Sequence, residues 1–176
     1  MRFITTETSH EKLSILAAAS AIAIPVVAAN AQTQPQTHVG ITRAVTVAEE
    51  RTGGTAFDAE FEYSRGTPVY EVELTKAGVL HRVTVNAATG RVISATQPRA
   101  ANMLPAWAGE EMPATSNRTA PMLAALERET NGQVRELSFD DDNVPHYEVE
   151  IATAAGVTEL RLDPATGRRI RMTYDD

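Results

Sequence analysis

The residue types that usually carry catalysis are scattered along this chain of 176 residues. His10 lies just before an N-terminal apolar segment, and His38, His81 and His146 do not form the His-Glu-x-x-His spacing of zinc hydrolases. There is no Gly-x-Ser-x-Gly turn and no glycine-rich phosphate loop. Because the chain has no cysteine, thiol catalysis, thiolate metal sites and disulfides are excluded. The sequence therefore predicts no catalytic site, no cofactor and no metal.

Two features could suggest a metal, but each has a simpler explanation. The run from Asp140 to Asn143 offers four consecutive oxygen-bearing side chains. Calcium loops place their ligands on alternate positions around a glycine turn, so this run favours a polar β-turn. His146 begins a strand, where we expect an exposed side chain rather than a metal ligand.

Acidic residues alternate with apolar ones in two short segments, and these acids are candidates for binding. The segments are Tyr70-Glu71-Val72-Glu73-Leu74 and Tyr147-Glu148-Val149-Glu150-Ile151. Strict alternation places the acids on one face of a sheet and the apolar residues on the other. Such a face is explained either by solubility or by attraction to a basic partner. The candidate partner-binding residues are Trp107, Glu71, Glu73, Glu148, Glu150 and Asp141.

The same two segments indicate a duplication. Tyr147 follows Tyr70 by 77 residues, and the hairpin sequences beginning at Asn86 and Asp163 have the same separation. Two matches in step predict a repeated module. Each copy is expected to be one helix packed on a four-stranded antiparallel sheet, with Tyr70 and Tyr147 on the core side of their strands.

The helices are predicted from apolar spacing and from residues that begin or end helices. Apolar residues from Ile41 to Ala48 fall on one helical face, and Gly53-Gly54 should end that helix. Pro121 suits the first turn of a second helix, which Asn131-Gly132 should end. Arg82 and Arg161 lie on strands where they can offset the acidic face.

The N-terminal segment has the pattern of a secretory signal peptide. Leu13 to Ala29 is mostly apolar, and Ala29-Asn30-Ala31 is a small-x-small cleavage site. The expected organisation is a signal peptide at 1–31, a flexible lead-in at 32–38, module 1 at 39–97, a linker at 98–116 and module 2 at 117–176. We expect an exported protein, periplasmic or extracellular.

Charge and the linker limit the choice of partner. The net charge of −7 argues against nucleic acid, and no second segment could anchor the chain in a membrane after cleavage. Trp107 lies in the linker, where it could cover the seam between the modules or be an exposed anchor for a partner.

With this pattern the chain resembles the PepSY family. The resemblance rests on Tyr147-Glu148-Val149-Glu150 and on the hairpin Asp163-Pro164-Ala165-Thr166-Gly167-Arg168, while the first copy has Asn86 where the family usually has Asp. It implies a small cystatin-like α+β module. Such modules occur in the propeptides of thermolysin-like metallopeptidases and as free-standing exported bacterial proteins. The implied role is restraint of a peptidase.

We therefore expect a non-catalytic binding protein whose best-defined partner is a peptidase that it inhibits or chaperones. An exposed edge strand or hairpin would lie along an extended groove, and loops such as Arg65–Val69 or Asp140–Pro145 would add selectivity. One alternative is a structural or sensory module of the cell envelope that binds another protein. A second alternative is a divalent-cation-binding protein that uses the acidic faces. The sequence leaves the oligomeric state open.

Overall fold

A computed structural model describes residues 37–98, 119–141 and 144–170. The predicted signal peptide, nearly all of the linker with Trp107, and residues 171–176 lie outside the described residues. Within the described ranges the chain is an α+β protein, with two helices and one antiparallel sheet of seven strands.

Each half of the chain supplies one helix followed by strands. We call residues 37–98 the first half and residues 119–170 the second half. In chain order the elements are α1 (Ile41–Thr52), β1 (Thr55–Ser64), β2 (Thr67–Lys76), β3 (Val79–Asn86), β4 (Val92–Thr96), α2 (Thr119–Thr130), β5 (Gln133–Asp140), β6 (His146–Thr153) and β7 (Gly156–Leu162). Beyond β7, Leu162 makes an isolated bridge with Arg169, and most of the predicted eighth strand falls on residues outside the described ranges.

The helix boundaries follow from the residues that predicted them. α1 ends at Gly53, whose left-handed φ of 71° lets its amide donate to the Glu49 carbonyl oxygen. α2 begins at Thr119 with Pro121 in its first turn, and Asn131 follows its end with a φ of 50°. These boundaries confirm the helical predictions.

The two halves share a continuous sheet, a point that the sequence left open. The strand order is β4-β3-β2-β1-β5-β6-β7, so β1 and β5 meet at the centre, where Ala59 lies opposite Leu137. Because β1 and β5 are antiparallel, the turn after β1 and the turn after β5 lie at opposite ends of the sheet. The loops Arg65–Val69 and Asp140–Pro145 therefore cannot flank one groove together.

One apolar core lies between the sheet and both helices. Tyr70 and Tyr147 are buried in it, which confirms that their strands point the tyrosines inward. Alternation leaves the other face of the sheet to polar residues. Among the residues that the structure describes, no helix is long and apolar enough to cross a bilayer. The core side chains with the largest volumes include Ile41, Leu74, Leu123, Leu137, Tyr147, Ile151 and Leu162.

Candidate partner-binding face

The sheet face that points away from the helices carries most of the acids singled out in the sequence. Residues on this face alternate with the core residues along β1, β2, β5, β6 and β7. We call it the acidic face, and its acids are Asp58, Glu60, Glu62, Glu71, Glu73, Glu136, Glu148, Glu150 and Glu159.

The strand register brings five of these glutamates into one row across the sheet. Glu60 lies opposite Glu71, Glu136 opposite Glu150, and Glu150 opposite Glu159. The pairing of Ala59 with Leu137 places Glu60 beside Glu136 and joins the two halves of the row. Carboxylates directly opposite each other destabilise a sheet. We call these five residues the glutamate row.

Two arginines offset part of this negative charge, as predicted. The Arg82 Nε lies 2.9 Å from Glu71 Oε1 and 3.0 Å from Glu73 Oε1. The Arg161 Nη2 lies 2.8 Å from Glu148 Oε1. Burial nevertheless raises the pKa of the Glu71 carboxyl, and Arg82 only partly opposes that shift. Both arginines are on flanking strands, so the carboxylates of the central strand β1 face other carboxylates.

Asp58 shows the electrostatic cost of this arrangement most clearly. A register shift between Ala56 and Asp58 marks a bulge in β1 next to this residue. Burial, together with the nearby acids Glu73, Glu60, Glu136 and Glu71, raises the pKa of the Asp58 carboxyl from 3.8 to about 7. The sequence placed Asp58 on the outer face but gave no sign of this burial.

The structure brings together most of the residues predicted to bind a partner. Glu71 and Glu73 on β2 share the acidic face with Glu148 and Glu150 on β6. Asp141 is exposed directly after β5. The sixth predicted residue, Trp107, lies outside the described residues.

Sequence reasoning missed Glu49, which is 1% exposed and joins the two halves. Its Oε1 accepts hydrogen bonds from the amides of Ala56 at 3.2 Å and Thr119 at 2.9 Å, and its Oε2 accepts one from Ala120 at 3.2 Å. A carboxylate at the first amides of α2 satisfies donors that have no partner within the helix, and it interacts favourably with the helix dipole. The repeat offered a clue, because Glu127 stands 78 residues later and accepts the Val134 amide at 3.0 Å.

Hydroxyl groups of the second half also donate hydrogen bonds to the first half. Thr119 Oγ1 donates to the Ala56 carbonyl oxygen at 2.7 Å, and the Tyr147 hydroxyl donates to the same oxygen at 3.1 Å. Burial raises the pKa of Tyr147 to about 12, so this hydroxyl remains a donor throughout the physiological range. The Ala56 peptide group is thus held by side chains from both halves.

His146 corrects another prediction. It was expected to be exposed, but it is 3% exposed, because its ring lies at the start of β6, which pairs with both β5 and β7. Its Nδ1 lies 2.8 Å from the Val144 carbonyl oxygen, and its Nε2 lies 3.3 Å from Glu148 Oε1. One ligand atom from each of Asp140, His146 and Glu148 lies within 4.8 Å of the others. We call these three residues the His146 cluster.

Comparison with known proteins identifies the family of this chain. Residues 39–96 match PepSY, described as the peptidase propeptide and YPEB domain. The YkoJ protein of Bacillus subtilis (strain 168), described as uncharacterized, is 30% identical over 132 residues, which cover 74% of this chain and 71% of YkoJ. The chain belongs to the PepSY family. This confirms the family resemblance, and the matched residues contain the first copy of the pattern.

A solved structure also matches this PepSY protein loosely. It is the crystal structure of CD1622 from Clostridium difficile 630, a candidate lipoprotein. The two chains are 17% identical with a TM-score of 0.41, and the match covers 79% of this chain and 94% of CD1622. A superposition this loose defines neither the function nor the partner of the PepSY protein.

Proposed function

We propose that this PepSY protein is an exported, non-catalytic binding protein that inhibits or chaperones a peptidase. The glutamate row is the observation that carries the proposal. The description of the family as a peptidase propeptide domain supports a peptidase as the partner. The proposal includes a signal peptide at 1–31 and two copies of one module, at 39–97 and 117–176, joined by a linker at 98–116.

The negative charge of the acidic face suits the binding of a basic partner. Its carboxylates lie opposite one another across β1, β2, β5, β6 and β7, although such pairs cost stability. Perturbed carboxyl groups such as Asp58 concentrate at functional sites more often than on inert surfaces. A basic partner surface would relieve the repulsion and would be attracted over a distance.

The β4 edge offers the partner main-chain hydrogen bonds. Val92–Thr96 is the outermost strand on the first-half side, and in the part of the chain that the structure describes no strand pairs with its outer edge. Ile93 is 56% exposed, so its apolar side chain is available to a pocket in the partner. In this proposal β4 adds to an extended groove in the peptidase, while the acidic face contacts the basic rim of that groove.

The test is to capture partners and then to measure proteolysis. The mature chain from Gln32 to Asp176 would be immobilised and exposed to the native exported-protein fraction of its source. Any peptidase recovered would then be assayed with and without added PepSY protein. We expect a peptidase whose rate falls as the PepSY protein is added. A stable complex with unchanged proteolysis would favour the structural or sensory alternative.

A pair of matched variants connects the result to the acidic face. Glu60→Gln with Glu71→Gln removes two charges from the glutamate row, and it should weaken inhibition. Glu50→Gln with Glu129→Gln removes two charges from the exposed sides of α1 and α2, and it should leave inhibition unchanged. Equal inhibition by both double variants would contradict the role of the acidic face.

A further inference from the structure

The protonation of His146 can be read from its neighbours. A carbonyl oxygen only accepts hydrogen bonds, so the contact of Nδ1 with the Val144 oxygen at 2.8 Å places a proton on Nδ1. In the neutral ring Nε2 is then an acceptor, and it faces the carboxylate of Glu148 at 3.3 Å. The lone pair of Nε2 in that tautomer is therefore available to a ligand held between the ring and the carboxylate.

Three donor atoms converge on that position. The carboxylates of Asp140 and Glu148 and the imidazole of His146 each place one ligand atom within 4.8 Å of the other two. Nitrogen and oxygen ligands of a tetrahedral zinc ion are about 3.4 Å apart, given metal–ligand bonds near 2.1 Å. Both carboxylates are half-buried, and closing the separations to that distance requires their side chains to rotate. A histidine whose other nitrogen donates to a backbone carbonyl is the usual arrangement in a metal site.

The first half shows that the fold does not require a histidine here. Glu62 pairs with Val69 in β1 and β2, as Asp140 pairs with His146 in β5 and β6. Val69 is fully buried, so an apolar side chain satisfies this position in the repeat. The equivalent set in the first half, which includes Glu71, has both carboxylates but lacks the nitrogen.

We infer that the His146 cluster binds one divalent first-row transition-metal ion. Imidazole together with carboxylates suits zinc and its neighbours, whereas calcium prefers oxygen ligands alone. Arg161 donates to the same oxygen of Glu148 at 2.8 Å and competes with the ion. It also lies 3.8 Å from Glu159, which gives the guanidinium another carboxylate when the ion is bound. The inference does not rest on the proposed peptidase, although Glu148 also belongs to the acidic face.

The test titrates tag-free protein with Zn²⁺ by calorimetry, and with Co²⁺ by visible absorption. We expect one ion per chain, and we expect Ca²⁺ not to compete for it. His146→Val, which copies the first half at this position, should abolish binding. Glu148→Gln should weaken it at least about tenfold, as loss of a ligand costs no less than loss of a group that orients one. Glu50→Gln removes an exposed carboxylate of α1, remote from the cluster in the fold, and should bind as tightly as wild type.

Spectroscopy of the imidazole rings identifies the ligand directly. In long-range ¹H–¹⁵N spectra, Zn²⁺ should shift the Nε2 resonance of His146 and leave those of His38 and His81 in place. The inference is overturned if no saturable binding occurs, if His146→Val binds as wild type does, or if the His146 resonances do not respond.

Discussion

Glu49 and Glu127 occupy equivalent positions, 78 residues apart, near the ends of α1 and α2, yet they have different numbers of partners. Each accepts the amide of an early residue in the strand that follows its helix, Ala56 or Val134. Only Glu49 also accepts the first amides of the other half's helix. Correspondingly, Glu49 is buried and Glu127 is half-buried.

This difference gives the two halves unequal roles. α1 begins after Gly40 without a side-chain cap, whereas α2 begins on the carboxylate of Glu49. The hydroxyl groups of Thr119 and Tyr147 donate hydrogen bonds to the Ala56 carbonyl oxygen. Glu49 of the first half thus caps α2. The hydroxyl groups of Thr119 and Tyr147 in the second half bind the end of β1 that carries the bulge. The two halves therefore form a junction that neither could form alone.

The largest expected effect comes from removing the junction carboxylate. Glu49→Ala leaves three buried amides without their acceptor and should lower the free energy of unfolding by about 3 kcal/mol. Glu127→Ala removes one partly buried bond and should cost about 1 kcal/mol. Urea unfolding of both variants measures the difference. Equal losses would show that Glu49 does not hold the halves together.

The next effect tests the hydroxyl groups of the paired tyrosines. Tyr147→Phe removes a buried donor to the Ala56 carbonyl and should destabilise the fold by about 1.5 kcal/mol. Tyr70→Phe removes a hydroxyl that interacts with the Gly40 backbone and has Arg135 of the second half nearby, and it should cost about 0.5 kcal/mol. Thermal unfolding of both variants at one pH compares the two losses of stability. A larger loss for Tyr70→Phe would contradict the greater contribution assigned to the Tyr147 hydroxyl.

The smallest effect tests the acidic face through pH. The Asp58 pKa rises from 3.8 to about 7 on folding, so the folded state binds the proton more tightly. Below pH 3.8 the carboxyl therefore does not lower the free energy of unfolding. The loss of stability grows as the pH rises from 3.8 toward 7, and it is constant above pH 7. Asp58→Asn should stabilise by about 1 kcal/mol at pH 8, a value reduced for partial exposure, and by almost nothing near pH 4.

The matched control for Asp58 is Glu136, which stands 78 residues later on β5 and is exposed. Glu136→Gln should change the free energy of unfolding by less than about 0.5 kcal/mol at either pH. Urea unfolding at both pH values measures the two variants. If Asp58→Asn gained no more stability at pH 8 than at pH 4, the raised pKa would be contradicted.

Local patterns in the sequence predicted most of the secondary structure. The alternation around Tyr70 and Tyr147 predicted which faces are buried, because a strand places every second side chain on the same side. Pro121 and Gly53 predicted where helices begin and end. The meeting of β1 with β5 could not be predicted, since it joins segments about 78 residues apart and no local pattern specifies a neighbour for a strand edge.

The candidate sites were predicted only in part, for a related reason. Alternation placed Glu71 and Glu150 on outer faces, but the single row they share depends on the pairing of β1 with β5. Glu49 looked like a solvated helix residue, and its burial depends on where α2 begins. His146 looked exposed because a histidine at the start of a strand gives no sign of the neighbours that cover it.

The most direct test asks whether the two halves form a single binding surface. The affinity of the captured peptidase would be measured for two double variants, Glu60→Gln with Glu71→Gln in the first half and Glu136→Gln with Glu150→Gln in the second. If the glutamate row binds as a unit, each should weaken binding by about five- to tenfold, and each should make the affinity less sensitive to salt. Unchanged affinity in both variants, or a loss confined to one half, would contradict a shared acidic face.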